Sequence, residues 1–140
     1  MDHLTVSYKL ALHLLSSEGE VLPLNAELHY SAEDPLAVEA HFDDGSSEPV
    51  RWVFARDLLA DGMKELSGDG DVVVWPTIDA DDQPAVQLRL NSPHGDALLE
   101  AAASELDAFL AATWRLVPPG TEHRHIDVDD VVTALLGTSE

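Results

Sequence analysis

The segment LTVSYKLALHLL, residues 4–15, alternates apolar and polar side chains. A period of two is typical of a β-strand that buries one face, so the segment predicts a long strand with its other face half exposed. The buried face would carry Leu4, Val6, Tyr8, Leu10, Leu12 and Leu14.

The same period recurs in the next three segments, residues 24–30, 36–42 and 50–54. The connections between them are short and rich in turn-forming residues, such as Ser17-Glu18-Gly19 and Asp43-Asp44-Gly45-Ser46. Short turns between alternating segments indicate an antiparallel meander.

The second half of the chain mixes helices and strands. Residues 55–60 suit a short helix that stops around Gly62, and strands follow at 72–75, 85–90 and 97–100. Two amphipathic helices are predicted after them, one over 106–117 with a capping box at Ser104 and Asp107, and a last one capped by Asp127. The sequence therefore predicts an α+β fold, an antiparallel sheet of about seven strands with about three helices packed against it, in a single domain over residues 1–140.

Charge is the most unusual feature of the composition. Seven Lys and Arg face 27 Asp and Glu, a formal net charge of −20. Nucleic acids and anionic membranes are bound by clustered Lys and Arg, whereas the basic residues here are scattered singly. We therefore expect no nucleic-acid partner, and most of the charge to serve solubility.

Several other classes are disfavoured by what the sequence lacks. There is no cysteine for a disulfide or thiolate site and no apolar run of roughly 18 residues to span a bilayer. The start, Met1-Asp2-His3-Leu4, has no basic region or cleavage site. We expect a cytoplasmic protein with no direct membrane insertion.

Catalytic signatures are absent as well. The sequence has no Gly-x-Ser-x-Gly elbow and no Gly-rich loop that leads into a helix. Asp79-Ala80-Asp81-Asp82 begins like a calcium loop, but Pro84 stands where the glycine is needed and Leu90 where the bidentate glutamate is needed. We predict a hairpin turn there, no cofactor and no enzyme activity.

A metal site is conceivable at Glu122-His123-Arg124-His125, where His123 and His125 could project the same way and coordinate zinc with Glu122 or Asp127. No third histidine lies nearby in sequence, and Arg124 would oppose a cation. The alternative is that Glu122, Arg124 and His125 hold the preceding Pro-Pro-Gly turn by hydrogen bonds. We expect no bound metal.

Histidines lie on the polar faces of the first three predicted strands, as His13, His29 and His41. If the strands are neighbours, the three imidazoles could share one side of the sheet. This face could be merely half exposed, or it could be a subunit interface or a pH-sensitive patch, since imidazole titrates near neutrality. We predict that it contacts another subunit or the helices.

Five stretches of the sequence are distinctive: residues 28–38, 52–59, 70–76, 92–100 and 117–125. The most distinctive is WVFARDLL, residues 52–59. Together these stretches resemble the SsgA-like proteins, small acidic regulators of cell division and sporulation in actinomycetes, and the likeness runs from the first strand to the last helix.

The resemblance implies a non-enzymatic function. Within the family, the chain looks most like the members that mark future septum sites and recruit the tubulin-like protein FtsZ, together with SsgA-type division proteins. It implies a cytoplasmic protein concentrated at septum sites. FtsZ is itself usually acidic, so we expect an apolar contact with moderate salt sensitivity at most.

The resemblance also implies homotrimers whose subunits look like the Whirly single-stranded DNA-binding proteins. That fold makes single-stranded nucleic-acid binding the alternative function. The sequence lacks the electropositive, aromatic track that such binding requires.

Two sets of residues are further candidates for the contact with a partner or another subunit. Arg56 and Asp57 are the first residues of the short helix, in the most distinctive motif. We expect them to form either a structural salt link or a docking point. The stripe of the last helix could face a neighbour or be part of the core. It consists of Val131, Val132, Leu135 and Leu136.

Overall fold

Seven strands, two α-helices and a short 3-10 helix form the part of the protein that the computed structural model describes. The described residues are 4–43, 45, 47–93 and 95–125, the side chains of Arg124 and His125 excepted. The elements are β1 Thr5–Leu15, β2 Val21–Ser31, β3 Asp34–Asp43, β4 Val50–Ala55, α1 Arg56–Gly62, β5 Val72–Ile78, β6 Pro84–Ser92, β7 Gly95–Ala102, α2 Ala103–Leu116 and the 3-10 helix Glu122–His125.

All seven strands belong to one antiparallel sheet, in the order β4-β3-β2-β1-β7-β6-β5. The sheet consists of two meanders, β1 to β4 and β5 to β7. They join between β1 and β7 through the pairs His13–Glu100, Leu14–Leu99 and Leu15–Leu98. The predicted α+β class, the seven antiparallel strands and the first meander are confirmed.

One face of the sheet, the inner face, forms the core with the two helices. Successive side chains of a strand point to opposite faces, which is why the apolar positions of the alternating segments are buried together. Strand residues such as Val38, Val74 and Val86 are fully buried there, beside Leu59 of α1 and Phe109 and Leu110 of α2. The opposite face, called the outer face below, carries the polar positions of the same strands.

The helices lie across the two meanders. α2 contacts β1, β6 and β7, while α1 contacts β3, β4 and β5. Because β4 and β5 are the two edges of the strand order, a helix that reaches both requires the sheet to curl around it. Neither α-helix in the described part of the chain is long and apolar enough to cross a bilayer.

One prediction about a helix end differs from the structure. Ser104 lies inside α2 rather than at its N-cap, and the predicted capping box with Asp107 is wrong. The N-cap is Ala102, whose side chain makes no capping hydrogen bond. The reason is that β7 runs directly into α2, so the strand pairing of Ala102 with Ala85 sets where the helix begins.

The last predicted helix, from Asp127 onward, lies outside the described residues. Its stripe, formed by Val131, Val132, Leu135 and Leu136, lies there too. Among the predicted helices, the structure therefore describes the short one at Arg56–Gly62 and the long one at Ala103–Leu116.

The acidic turn between β5 and β6 is a hairpin turn, as predicted. The carboxylate of Asp79 accepts hydrogen bonds from the backbone N–H groups of Asp81 and Gln83, at 2.8 and 2.9 Å. Asp82 adopts a positive φ of 62°, a conformation that Asp tolerates better than most residues. The Asp79 carboxylate is thus engaged with the chain itself.

Candidate functional site

Arg56, the first residue of α1, is almost completely buried, with 1% of its side chain exposed. Its Nη1 donates hydrogen bonds to the backbone oxygens of Thr113, at 3.3 Å, and Val117, at 2.8 Å. Both carbonyls lie at the C-terminal end of α2: that of Thr113 also accepts from the backbone N–H of Val117 at 2.8 Å, and that of the C-cap residue Val117 lies where a helix leaves acceptors without helical partners. Arg56 therefore caps α2 from another element, and its charge matches the negative end of that helix.

The second terminal nitrogen of Arg56 is paired with a carboxylate. Nη2 donates to Oε2 of Glu122 at 2.7 Å, and 15% of the Glu122 side chain is exposed. The guanidinium also lies over the ring of Tyr30, 4.9 Å from its centroid, in the geometry of a cation–π contact. Arg56 thus ties together the start of α1, the end of α2, β2 and the 3-10 helix.

This environment shifts two pKa values. Hydrogen bonds from the backbone N–H of Glu122 and from the Arg56 guanidinium lower the pKa of the Glu122 carboxyl. Burial raises the pKa of the Tyr30 hydroxyl, and the positive charge of Arg56 partly opposes that rise. The Tyr30 hydroxyl donates to the backbone oxygen of Pro35 at 2.8 Å. At neutral pH, Glu122 is therefore ionised, as its ion pair with Arg56 requires, and Tyr30 keeps the proton that it donates to Pro35.

The structure separates Arg56 from its neighbour Asp57. Arg56 points into the core and pairs with Glu122, whereas Asp57 is exposed in the first turn of α1. Buried as it is, Arg56 offers no surface to a partner, so its observed contacts are structural. Asp57 is exposed, and docking of a partner at this residue stays a prediction.

The outer face brings two of the three predicted histidines together. Glu27 on β2 is opposite His41 on β3, and His29 is opposite Glu39. His29 and His41 are therefore diagonal neighbours, and their ring centroids are 4.5 Å apart.

Each imidazole of the pair has a carboxylate beside it. Nε2 of His41 lies 2.7 Å from Oε1 of Glu39, and Arg51 adds a longer contact to Glu39, with Nε 3.8 Å from Oε2. The hydrogen bond with His41 and then the charge of Arg51 lower the pKa of the Glu39 carboxyl. Nε2 of His29 lies 3.0 Å from Oε1 of Glu27, without the angles of a hydrogen bond.

His13 lies apart from this pair. Ser7 is the residue of β1 opposite His29, and His13 is six positions further along that strand, about 20 Å away at the usual rise of a strand. Its neighbour across the β1–β7 joint is Glu100, which accepts a hydrogen bond from Gln87 at 2.9 Å. Gln87 in turn accepts from Nε1 of Trp75 at 3.1 Å. The three imidazoles share the outer face but form no single cluster.

A Ser–His–Glu row is present at the pair, because Oγ of Ser7 lies 3.1 Å from Nδ1 of His29. Nucleophilic catalysis needs the histidine to be oriented by a hydrogen bond to its acid. Glu27 does not provide that geometry. We assign the row no catalytic role.

Two clefts lie beside the histidine pair. The larger, of about 650 Å³, has His41, Lys9, Ala11 and Pro49 in its lining, together with the acidic residues Glu27, Asp43 and Glu105, the last of them on α2. The smaller, of about 270 Å³, has His29, Ser7, Ala37 and Val53. Both combine apolar and polar walls and are open to solvent, as suits a protein-contact surface better than a small-molecule site.

The described part of the chain contains no arranged metal site. There, no group of three or more His, Asp or Glu side chains has the arrangement of a metal site. In the segment considered for zinc, Glu122 is engaged by Arg56 and His123 is exposed. Asp127 and the side chain of His125 lie outside the described residues.

The contacts between these residues could not be identified from sequence spacing. Arg56 and Glu122 are 66 positions apart, and the signal available in the sequence was only that each lies in a stretch typical of the SsgA-like family. Thr113, whose hydroxyl donates to Leu110 O at 2.7 Å beside Arg56, lies in an apolar stretch and carried no signal. The pairing of His29 with His41 follows from the register, which the alternation predicts only in part.

Known proteins match the chain over nearly its whole length. The family model described as Streptomyces sporulation and cell division protein, SsgA, matches residues 24–122. The sporulation-specific cell division protein SsgB of Streptomyces coelicolor is 50% identical over 135 residues, 96% of this chain and 98% of the relative. The protein of the same name from Kineococcus radiotolerans is 46% identical over 132 residues, 94% of this chain and 79% of the relative.

Solved structures agree with these sequence matches. A structure from work on SsgB mutations and longitudinal cell division in Streptomyces coelicolor superposes with a TM-score of 0.84 at 51% identity, over 88% of this chain and 96% of that one. An SsgA-like sporulation-specific cell division protein from Thermobifida fusca gives a TM-score of 0.85 at 37% identity, over 96% of this chain and 98% of that one. The chain therefore belongs to the SsgA-like family of sporulation and cell division proteins and is most similar to its SsgB members.

Proposed function

We propose that this protein is a non-enzymatic, sporulation-specific cell division protein, an oligomeric scaffold that marks septum sites and recruits FtsZ. The observation that carries the proposal is the 50% identity to the Streptomyces coelicolor protein named as a sporulation-specific cell division protein, over 96% of this chain. The proposed partners are FtsZ and SsgA-type division proteins, and the proposed location is the cytoplasmic side of the future septum.

The arrangement of the described residues suits a scaffold. The most buried charged group, Arg56, is engaged in structural contacts, and the polar side chains of the outer face pair with one another rather than converge on a substrate cavity. A rigid sheet with a broad exposed face offers area for protein contacts. This supports binding over catalysis as the proposed activity.

Self-association belongs to the same proposal. A homotrimer would engage a filament through several copies of one weak contact, and each further contact would be intramolecular and so favoured by effective concentration. The trimer is proposed to consist of subunits with a Whirly-like fold. Sedimentation velocity of the purified protein tests the trimer, and a monomer at all concentrations would contradict it.

Single-stranded nucleic-acid binding, the alternative, gains no support from the outer face. Among the described strands, Trp75 is the one Trp, Tyr or Phe side chain on that face, so no row of aromatic side chains is available for stacking bases. The bases would also meet Glu27, Glu39 and Glu100. We therefore propose protein rather than nucleic acid as the ligand.

The proposed function is tested by co-sedimentation with FtsZ from the same organism. The protein is mixed with FtsZ and GTP, polymers are pelleted, and a single-stranded DNA mobility shift is run alongside. We expect co-pelleting that needs GTP, depends moderately on salt, and is accompanied by no DNA shift. A protein that stays in the supernatant with polymerised FtsZ would contradict recruitment, and a DNA shift would favour the alternative.

A further inference from the structure

The two edge strands of the sheet, β4 and β5, differ in how their free sides are protected. On β5, Val74 exchanges backbone hydrogen bonds with Ser67, at 2.8 and 2.9 Å, and Pro76, two residues further on, has no N–H on that side. A covering segment and a proline both keep an edge strand from pairing with another chain. On β4, no described residue forms a bridge on the free side, and the strand contains neither proline nor lysine. β4 is therefore the less protected edge.

The hydrogen-bond pattern of the sheet shows which backbone groups of β4 face its free side. Along an antiparallel strand, successive residues bond alternately to one neighbouring strand and to the other. The N–H of Ala32 donates to Leu4 O at 2.9 Å, which continues the β1–β2 register, so even-numbered residues of β2 bond to β1. The registers that follow then make even-numbered residues of β4 bond to β3. Following the registers from the bridge on β5 gives the same assignment. The N–H and C=O groups of Arg51 and Val53 are thus left on the free side.

The side chains of β4 are mostly apolar on both faces of the strand. Val50 is 41% exposed on the inner side and Val53 is 52% exposed on the outer side, while Trp52 is half-buried. The one charged residue of the strand is Arg51, whose Nε lies 3.8 Å from Oε2 of Glu39 on the neighbouring strand. β4 therefore presents open backbone groups between exposed apolar side chains and has no carboxylate of its own.

We infer that β4 is a site of self-association, at which β4 of a second copy of the chain adds antiparallel to the sheet about a two-fold axis. The open groups of β4 call for an extended strand, because an extended chain presents N–H and C=O groups at the same spacing. A second copy offers such a strand already folded, so no disordered segment has to be ordered on binding. Its β5 edge is covered by Ser67 and interrupted by Pro76, which leaves β4 as the edge that it offers.

The sequence of β4 is compatible with a copy of itself in two registers. Because the open groups belong to odd-numbered residues on both strands, either Arg51 is opposite Val53 of the second copy or the two Val53 residues are opposite each other. On the inner side, Trp52 then faces Trp52 or Phe54 of the second copy, and aromatic pairs across strands are favourable. A register with the two Arg51 side chains opposite each other would place like charges together and is disfavoured.

We expect this contact to be weak and to strengthen with salt. Two strands of six residues bury less than the roughly 1,200 Å² of a stable interface, which places the contact among transient ones. Each copy carries a formal charge of −20, and Glu48 and Asp57 flank the strand, so screening reduces the repulsion between copies. The contact alone gives a dimer. Combined with the proposed three-fold contact, it would join two trimers.

Cysteine cross-linking tests the contact directly, because the chain has no cysteine of its own. Arg51→Cys and Val53→Cys are oxidised separately and as a mixture, and covalent dimers are measured on non-reducing gels. One register predicts dimers from V53C alone, and the other predicts them from the mixture. Ile78→Cys is the matched control, since Ile78 is 59% exposed on the covered edge strand β5. We expect at least about fivefold more dimer through β4 than from I78C, because residues directly opposite each other lie within disulfide range.

A second pair of variants removes a backbone donor from each edge. Val53→Pro removes an N–H on the free side of β4 and leaves the pairing with β3 intact, whereas Ile78→Pro does the same on β5. Sedimentation velocity at about 10–500 µM protein, a range suited to weak association, follows the step that doubles the mass. We expect V53P, but not I78P, to abolish this step while circular dichroism shows both variants folded. If V53P does not fold, Val53→Lys takes its place, because lysine is a residue that protects natural edge strands.

The outcomes separate this inference from the proposed recruitment of FtsZ, beyond which it goes. Selective cross-linking through β4, with mass doubling lost on substitution of Val53, supports the contact. Equal cross-linking from I78C would overturn it, and so would the absence of dimers from R51C, V53C and their mixture at the highest concentration. Because FtsZ is absent from both measurements, either of these results would leave recruitment standing.

Discussion

At the residue scale, Arg56 joins two distant stretches of sequence that both resemble the family. It lies in the stretch over residues 52–59, and its acceptors Val117 and Glu122 lie in the stretch over 117–125. A buried guanidinium requires hydrogen-bond acceptors and a counter-charge. Changing either stretch alone would leave the other with unpaired polar groups.

We expect Glu122→Gln to lower the free energy of unfolding by about 1–3 kcal/mol, because it keeps the shape of the side chain but leaves the buried Arg56 charge without its carboxylate. Urea unfolding followed by circular dichroism measures the change. The exposed Glu65→Gln is the matched control and should change stability by less than about 0.5 kcal/mol. Equal effects of the two substitutions would contradict a stabilising ion pair.

The lowered pKa values of Glu39 and Glu122 make stability depend on pH in a defined direction. A carboxyl whose folded-state pKa lies below its unfolded value of 4.5 stabilises the folded state above that value. This stability is lost as pH falls through the folded-state pKa values. As far as Glu39 and Glu122 are concerned, the urea midpoint of unfolding should therefore stay constant between about pH 7 and 5 and should decrease below about pH 4.5.

Glu39→Gln combined with Glu122→Gln provides the test of that assignment. The double variant should be less stable at neutral pH and should lose less stability between about pH 5 and 3 than the unmodified protein. A pH dependence as steep as that of the unmodified protein would assign the acid sensitivity to other carboxyls. Other acidic groups also titrate in this range, so the difference between the two proteins is the quantity to compare.

At the scale of elements, the helices hold together two meanders that share only three residue pairs between β1 and β7. α1 spans from β4 and β3 to β5, the opposite edge of the sheet. Gly62, the last residue of α1, allows that close approach. A Cβ placed on Gly62 would overlap Cγ1 of Val74, which is itself fully buried.

We expect Gly62→Ala to lower the free energy of unfolding by about 1–3 kcal/mol, because the added methyl group forces α1 away from β5. Gly70→Ala is the control, since a Cβ there meets nothing within 4 Å and its φ is not in the left-handed region. Thermal unfolding of both variants provides the comparison. A stabilised Gly62→Ala, as helix propensity alone would give, would show that the approach of α1 to β5 is loose.

At the scale of the whole molecule, the formal charge of −20 works against compactness, because like charges repel across the surface. Much of that charge is in turns and at strand ends, and the sheet interior is nearly balanced. Several acidic residues share a single turn, as Asp79, Asp81 and Asp82 do between β5 and β6.

We expect added salt to stabilise the protein, because screening weakens this repulsion more than it weakens the few ion pairs. Raising NaCl from about 20 mM to about 300 mM shortens the Debye length several-fold and should raise the thermal midpoint by a few degrees, about 2–6 °C. Differential scanning calorimetry measures it. A midpoint that falls with salt would mean that attractive pairs such as Arg51–Glu39 outweigh the repulsion.

The sequence by itself determined the elements and their order. Alternation over residues 4–15 and the three segments after it predicted the first meander, because a period of two is a local property of a strand. The helical spacing of apolar residues predicted α1 and α2. The stretches that resemble the SsgA-like proteins identified the family. The same alternation also separated the inner from the outer positions of the first four strands, and so part of the core from the exposed face.

Only the tertiary structure decided which distant residues meet. It paired Arg56 with Glu122, joined His29 to His41 while leaving His13 beside Glu100, and began α2 at Ala103 rather than at the predicted cap. These outcomes depend on strand register and on how the sheet curls around the helices. Register and curl are set by the sum of many contacts between segments, and no local spacing in the sequence encodes that sum.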